Sequence, residues 1–168
     1  FFMIFILVGC NKDTGEDFYE PNISGNAKQK DGQDAQGNKY TFVYDGTTIR
    51  VDDKASKILE QLGKPMEYFE APSCAYQGMD KTYYYQGFEI TTYTQDNIDY
   101  IANIVLVDDT VSTKEGLQIG DEVSKVIDTY GREYKENIGQ YIYTDGDSNL
   151  QFIIEKEEVK SISYMKVE

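Results

Sequence analysis

Ile49-Arg-Val-Asp-Asp53-Lys-Ala-Ser56-Lys57-Ile-Leu-Glu-Gln-Leu-Gly63 returns 68 positions later, without a gap, as Leu117-Gln-Ile-Gly-Asp121-Glu-Val-Ser124-Lys125-Val-Ile-Asp-Thr-Tyr-Gly131. Asp, Ser, Lys and Gly recur at equal spacing. The apolar residues between them (Ala55, Ile58, Leu59 and Leu62; Val123, Val126, Ile127 and Tyr130) stand three or four apart. That period predicts a short amphipathic helix in each copy, with Asp as the N-terminal cap and Gly in a left-handed conformation closing the end.

Strand patterns follow each helix. Tyr83-Tyr-Tyr85-Gln-Gly87-Phe-Glu-Ile90 corresponds to Tyr141-Ile-Tyr143-Thr-Asp-Gly146, then Leu150-Gln-Phe152. Ile101-Ala-Asn-Ile104-Val-Leu106 corresponds to Val159-Lys-Ser-Ile162-Ser-Tyr164. The first copy carries extra residues, read as a loop, from about Glu70 to Asp80. Each unit is therefore expected to be a helix followed by three antiparallel strands, and the class α+β. The units span 39–110 and 111–168. The first is preceded by a hairpin, Tyr40–Tyr44 and Thr47–Val51, around Asp45-Gly46; Asp-Gly between alternating apolar residues signals a type I′ turn.

Upstream of the hairpin the composition changes twice. Residues 11–38 are rich in Gly, Asn, Asp, Gln and Lys and poor in apolar residues, so they cannot bury enough surface to fold. They read as a flexible tether with a reach of roughly 30 Å. Before them, Phe1-Phe-Met-Ile-Phe-Ile-Leu-Val-Gly-Cys10 is apolar but far shorter than the ~20 residues a spanning helix needs. It fits the core and cleavage site of a secretory signal peptide whose charged start is missing, as in a leader that is truncated or read from an alternative start codon. Leu7-Val8-Gly9-Cys10 resembles the lipobox of bacterial lipoproteins. The resemblance implies that Cys10 carries a diacylglycerol, with residues 1–10 as the signal-peptide remnant and the chain held on the extracytoplasmic face of the cell membrane.

Composition narrows the chemistry. A net charge of −14 disfavours nucleic acid and anionic polymers as partners. The absence of His removes Ser-His-Asp and Cys-His catalysis and the usual zinc sites. With two cysteines, Cys10 and Cys74, and Cys10 acylated, a disulfide-built fold is ruled out. Asp145-Gly-Asp147-Ser-Asn149 has oxygen ligands at calcium-loop spacing, but Leu150 and Lys156 stand where an EF-hand needs Gly and Glu, so it reads as a hairpin turn. No metal site, cofactor or catalytic residue is expected.

Thr113-Lys-Glu-Gly116-Leu-Gln-Ile-Gly120-Asp121, with the helix to Gly131 and the Tyr-rich strands after it, is similar to tandem-repeat lipoproteins of Gram-positive bacteria that have a β-lactamase-inhibitor-protein-like fold. It also resembles the small outer-membrane-assembly lipoproteins of Gram-negative cells. The resemblance covers roughly residues 47–168. It implies that the two units' sheets join into one curved sheet with helices on one face and a bare face that can bind protein. No residues for β-lactamase binding can be matched.

Fifteen tyrosines are many for this length, and Tyr favours strands. With aliphatic Ile142 turned inward, alternation places Tyr141 and Tyr143 outward, and by correspondence Tyr83 and Tyr85. These four form the candidate binding surface; the plain alternative is cross-strand aromatic pairing that stabilises the sheet. The function expected is a non-enzymatic module of the cell envelope that binds an extracellular protein or peptide. The alternatives are a carboxylate-dependent hydrolase acting on a wall or glycan substrate and a structural spacer. Cys10→Ser should leave the protein unprocessed or release it from the membrane fraction, as fractionation and immunoblotting would show.

Overall fold

A computed structural model describes residues 40–73 and 78–167, all within the unit Ala35–Glu168. The leader with Cys10, the tether 11–38 and the thiol of Cys74 lie outside the described residues. The fold begins with the hairpin of β1 (Phe42–Tyr44) and β2 (Thr47–Ile49). Asp45 and Gly46 both take positive φ, 46° and 78°, as a two-residue type I′ turn requires. Then come α1 (Ala55–Leu62), β3 (Glu67–Pro72), β4 (Met79–Tyr85), β5 (Phe88–Gln95) and β6 (Ile98–Leu106). The chain continues through α2 (Val123–Tyr130), β7 (Lys135–Asn137), β8 (Gln140–Asp145), β9 (Ser148–Glu155) and β10 (Glu158–Lys166). The eight strands from β3 onward form one antiparallel sheet in the order β3-β4-β5-β6-β10-β9-β8-β7.

The chain is mostly β, which corrects the expected α+β class. Among the described residues, two helices of eight residues each stand against ten strands. The layer over the sheet is only partly helical: the β1–β2 hairpin (Phe42, Ile49) and the connection before α2 (Val111, Leu117) share it with Ala55, Ile58 and Val126 of the helices. Each half also has four strands rather than three. The stretch read as a loop from Glu70 contains the second half of β3 and the start of β4, and the counterpart of β3 in the second half, β7, is a three-residue strand.

Both helices bury the predicted apolar stripe, but their starts differ from expectation. Lys54 and Glu122 occupy the N-cap positions with no side-chain cap. The Asp121 carboxylate instead accepts from the Gln118 N–H at 2.7 Å and from Lys125 Nζ at 2.7 Å, which fastens the turn ahead of α2. Gly63 and Gly131 do end the helices, donating N–H to Leu59 O and Ile127 O. Their dihedrals (φ 75°, ψ −160° and φ 85°, ψ −169°) lie in a region essentially restricted to glycine.

Register shows which side chains share a face. Tyr83, Ile90, Ile104, Tyr164, Leu150 and Tyr143 pair in one row across six strands, and Tyr85, Phe88, Leu106, Ile162, Phe152 and Tyr141 in the next. Most of these residues are fully buried, and each such apolar side chain contributes about 1.5–3 kcal/mol on leaving water. The expected outward placement of Tyr83, Tyr85, Tyr141 and Tyr143 is therefore corrected. Tyr85 and Tyr143 lie in the core at 7% and 2% exposure, with Tyr83 and Tyr141 packed against it. Ile142 is half-buried on the opposite face. The alternation is as read, but its phase is reversed, because Tyr can bury its ring while its hydroxyl finds a backbone acceptor. Tyr143 Oη donates to Gly131 O at 2.9 Å and Tyr85 Oη to Gly63 O at 3.4 Å, so each tyrosine also ties the end of a helix to the sheet.

The two halves meet where β6 pairs with β10, from Leu106↔Ile162 to Asn103↔Met165. Register shifts then fall at Ala102 in β6 and Lys160 in β10, and a bulge bends its strand away from its neighbour. Each freed backbone takes a new partner. Asp52 N–H donates to Ile101 O at 2.8 Å, and Ile101 N–H to Asp53 O at 2.9 Å. Gly120 N–H donates to Val159 O at 2.8 Å, and Val159 N–H to Asp121 O at 2.9 Å. In urea unfolding, Tyr143→Ala should cost about 3–5 kcal/mol. Ile142→Ala should cost about 1 kcal/mol or less.

Candidate functional site

The core layer covers one face of the sheet. On the other, register aligns Glu67, Tyr84, Glu89, Val105, Ser163, Gln151, Ile142 and Lys135 in a row through all eight strands. Beside it run Phe69, Thr82, Thr91, Asn103, Met165, Asn149 and Thr144. Ser163 is buried by its neighbours; most of the others are half-exposed, and Glu67, Phe69, Lys135 and Thr144 are exposed. Residues paired across the core face are near zero exposure, so burial is one-sided, as in antiparallel sheets with one free face.

The charge on this face is unusual for the chain. From β4 to β8 the two rows carry one charged side chain, Glu89, although 27% of all residues are charged and the net charge is −14. Thr, Ser, Asn and Gln supply donors and acceptors there, and Tyr84, Val105, Met165 and Ile142 supply apolar area. Depletion of charge with retained hydrogen-bonding capacity is the composition of an interface centre.

The tyrosines expected on this surface lie on the core side instead, Tyr83 beside Tyr68, Tyr85 stacked on Phe88, and Tyr141 and Tyr143 in a larger aromatic cluster. Tyr134 stacks on Tyr141 with centroids 4.1 Å apart, Tyr130 lies 5.4 Å from Tyr143 and 5.6 Å from Phe152, and Tyr40 meets Tyr130 edge-on. Burial pushes the Tyr143 hydroxyl up to about 12 and raises those of Tyr130 and Tyr164 further. Hydrogen bonding with Tyr134 lifts Tyr141 to about 12.

Among the described residues, Asp99 and Asp121 are each paired with a lysine. Burial alone would raise Asp99, but hydrogen bonds from Lys81 (2.6 Å) and Thr94 (2.6 Å) hold it below its ordinary value. Asp121 is likewise held low, against its burial, by Lys125 and the Gln118 N–H. Burial raises Asp53, and the nearby Arg50 offsets part of that. A cleft of about 310 Å³ between the start of α2 and the β9–β10 turn is lined by Glu122, Val123, Ser124, Lys156, Glu157 and Glu158. Its three glutamates are exposed, and Lys160 holds Glu158 ionised. Asp145 and Asp147 flank Gly146 at the two-residue β8–β9 turn, where Ser148 Oγ donates to Asp145 O at 3.1 Å. Among the described residues no group of three or more Asp, Glu, Cys or His is placed to hold a metal ion, and no helix is long and apolar enough to cross a membrane.

No protein-family model and no curated protein matches the chain. Among solved structures, an extracellular protein containing an SCP domain from Bacillus anthracis str. Ames is similar in fold, with a TM-score of 0.53 and 11% identity. The match covers 77% of this chain and 49% of that one, so the chain spans about half the length of that protein.

The buried hydroxyls set a pH limit. A Tyr whose folded pKa lies above the unfolded value of about 10 stabilises the fold fully below pH 10. That contribution is lost as pH rises through the folded value. Between about pH 10 and 12 stability should fall, and the phenolate absorbance of the interior tyrosines should appear together with loss of the circular-dichroism signal rather than before it.

Proposed function

We propose that this chain is a non-enzymatic, extracellular binding module that receives a protein partner on the bare face of its sheet. One observation carries the reading: a hydrogen-bonding patch with Glu89 as its one charged side chain runs across the middle of a sheet in a strongly acidic chain. Maintaining such a patch at the surface is unfavourable for solubility, whereas a partner that covers it gains apolar area while desolvating one charge. The extracellular neighbour supports the location. In this reading a lipid on Cys10 fixes the chain to the membrane, and the polar residues 11–38 hold the sheet away from it. The face would then meet soluble or wall-associated proteins rather than the bilayer.

The test is a capture experiment with the secreted chain and a cell-surface extract. Thr91→Arg combined with Gln151→Arg places two cations in the patch. Both positions are half-exposed, so folding stability should change by no more than about 0.5 kcal/mol each. A partner held by the native chain should bind at least about 30-fold more weakly to the double variant, as expected for interface-centre positions worth ~2 kcal/mol or more. Equal capture by both chains, with equal melting temperatures, would remove the face from consideration.

A further inference from the structure

The sheet has two outer strands, and they differ. β7 is three residues long and begins with Lys135, the short and charged design that discourages further pairing. β3 is six residues long and has no Lys, bulge or Pro before its last position, Pro72. Among the described residues, no strand pairs with its outer side. Tyr68 and Phe69 along it are 46% and 58% exposed, and Met66 just ahead of it is 72% exposed.

Register fixes what each side of this edge offers. Glu67 and Phe69 lie on the bare face, while Tyr68 and Glu70 lie on the core side. Each side thus presents one aromatic ring beside one carboxylate, and the carboxylates are three residues apart. Lys81, the cation opposite Glu70, is committed to Asp99 at 2.6 Å. A strand added here would run about 4.8 Å away. A Lys or Arg on it could lay its stem over the ring and its head on the carboxylate. A second copy would bring two more carboxylates and no cation to this edge, so charge complementarity favours a basic segment.

We propose that the outer edge of β3 takes up an extended peptide segment bearing Lys or Arg residues three apart, as an added strand held by main-chain hydrogen bonds. This surface is distinct from the bare face, so either proposal can fail alone. The probe is acetyl-Thr-Lys-Val-Val-Lys-Thr-amide, titrated into the full chain by calorimetry, with amide hydrogen exchange read at residues 66–72. The expected result is saturable one-to-one binding that slows exchange along β3. Methylation of alternate peptide nitrogens should abolish it. Glu67→Lys with Glu70→Lys should weaken it by about tenfold or more and create affinity for the Glu-Val-Val-Glu counterpart. Three outcomes would overturn the proposal: no binding, binding indifferent to N-methylation, or β3 amides already protected without peptide by a second copy or by another part of the chain.

Discussion

Four residue pairs, from Leu106↔Ile162 to Asn103↔Met165, join the two halves of the sheet, and the rest of the molecule is arranged around them. If β6 and β10 paired over their full length, the segments ahead of the helices would have no strand to bond. The shifts at Ala102 and Lys160 release that backbone, and residues 52–53 and 120–121 take it up. The start of each helix is thus set by the point at which its fourth strand leaves the seam. The end of each helix is set by a tyrosine from its second strand reaching the closing glycine's carbonyl. Position along the sheet and position of the layer above it are therefore fixed by the same few bonds.

One-sided burial follows from this arrangement. The core-face rows hold nearly all the large apolar side chains, while the other face is left with Thr, Ser, Asn, Gln and scattered apolar residues. Charge is carried by turns, outer strands and the exposed helix surfaces. The bare face is consequently the least charged part of a strongly anionic molecule, and the reading of function rests on that contrast.

The sequence is most transparent where one residue type has one use. Asp45-Gly46 specifies its turn, and Gly63 and Gly131 mark helix ends because their dihedrals exclude other residues. It is least transparent where a side chain has two. Tyr141-Ile142-Tyr143 alternates correctly, but nothing in the pattern tells whether an aliphatic residue or a pair of hydroxyl-bearing rings faces the core. The deciding acceptor, Gly131 O, is supplied by another element. Asp121 reads from the sequence as the cap of α2, whereas its carboxylate is taken by Gln118 and Lys125 in the turn ahead of the helix. The outer strands β3 and β7 were obscured because they bury so little that no apolar period marks them. The bare face could not be read from any one strand, since it exists only once register aligns residues from eight of them.

The strand order also bears on how the chain finds its fold. Within each half every strand neighbours the next in sequence, from β3 to β6 and from β7 to β10, and the β6–β10 pairing is the distant one in the sheet. Loop-closure entropy is therefore small for six of the seven strand pairings and concentrated in one. A sheet of this size built by such local steps has a lower contact order than a Greek-key sandwich, and its folding rate should lie toward the fast end for β-proteins. Closure of the seam would be the slow step, and mutations in Leu106 or Ile162 the ones that slow it.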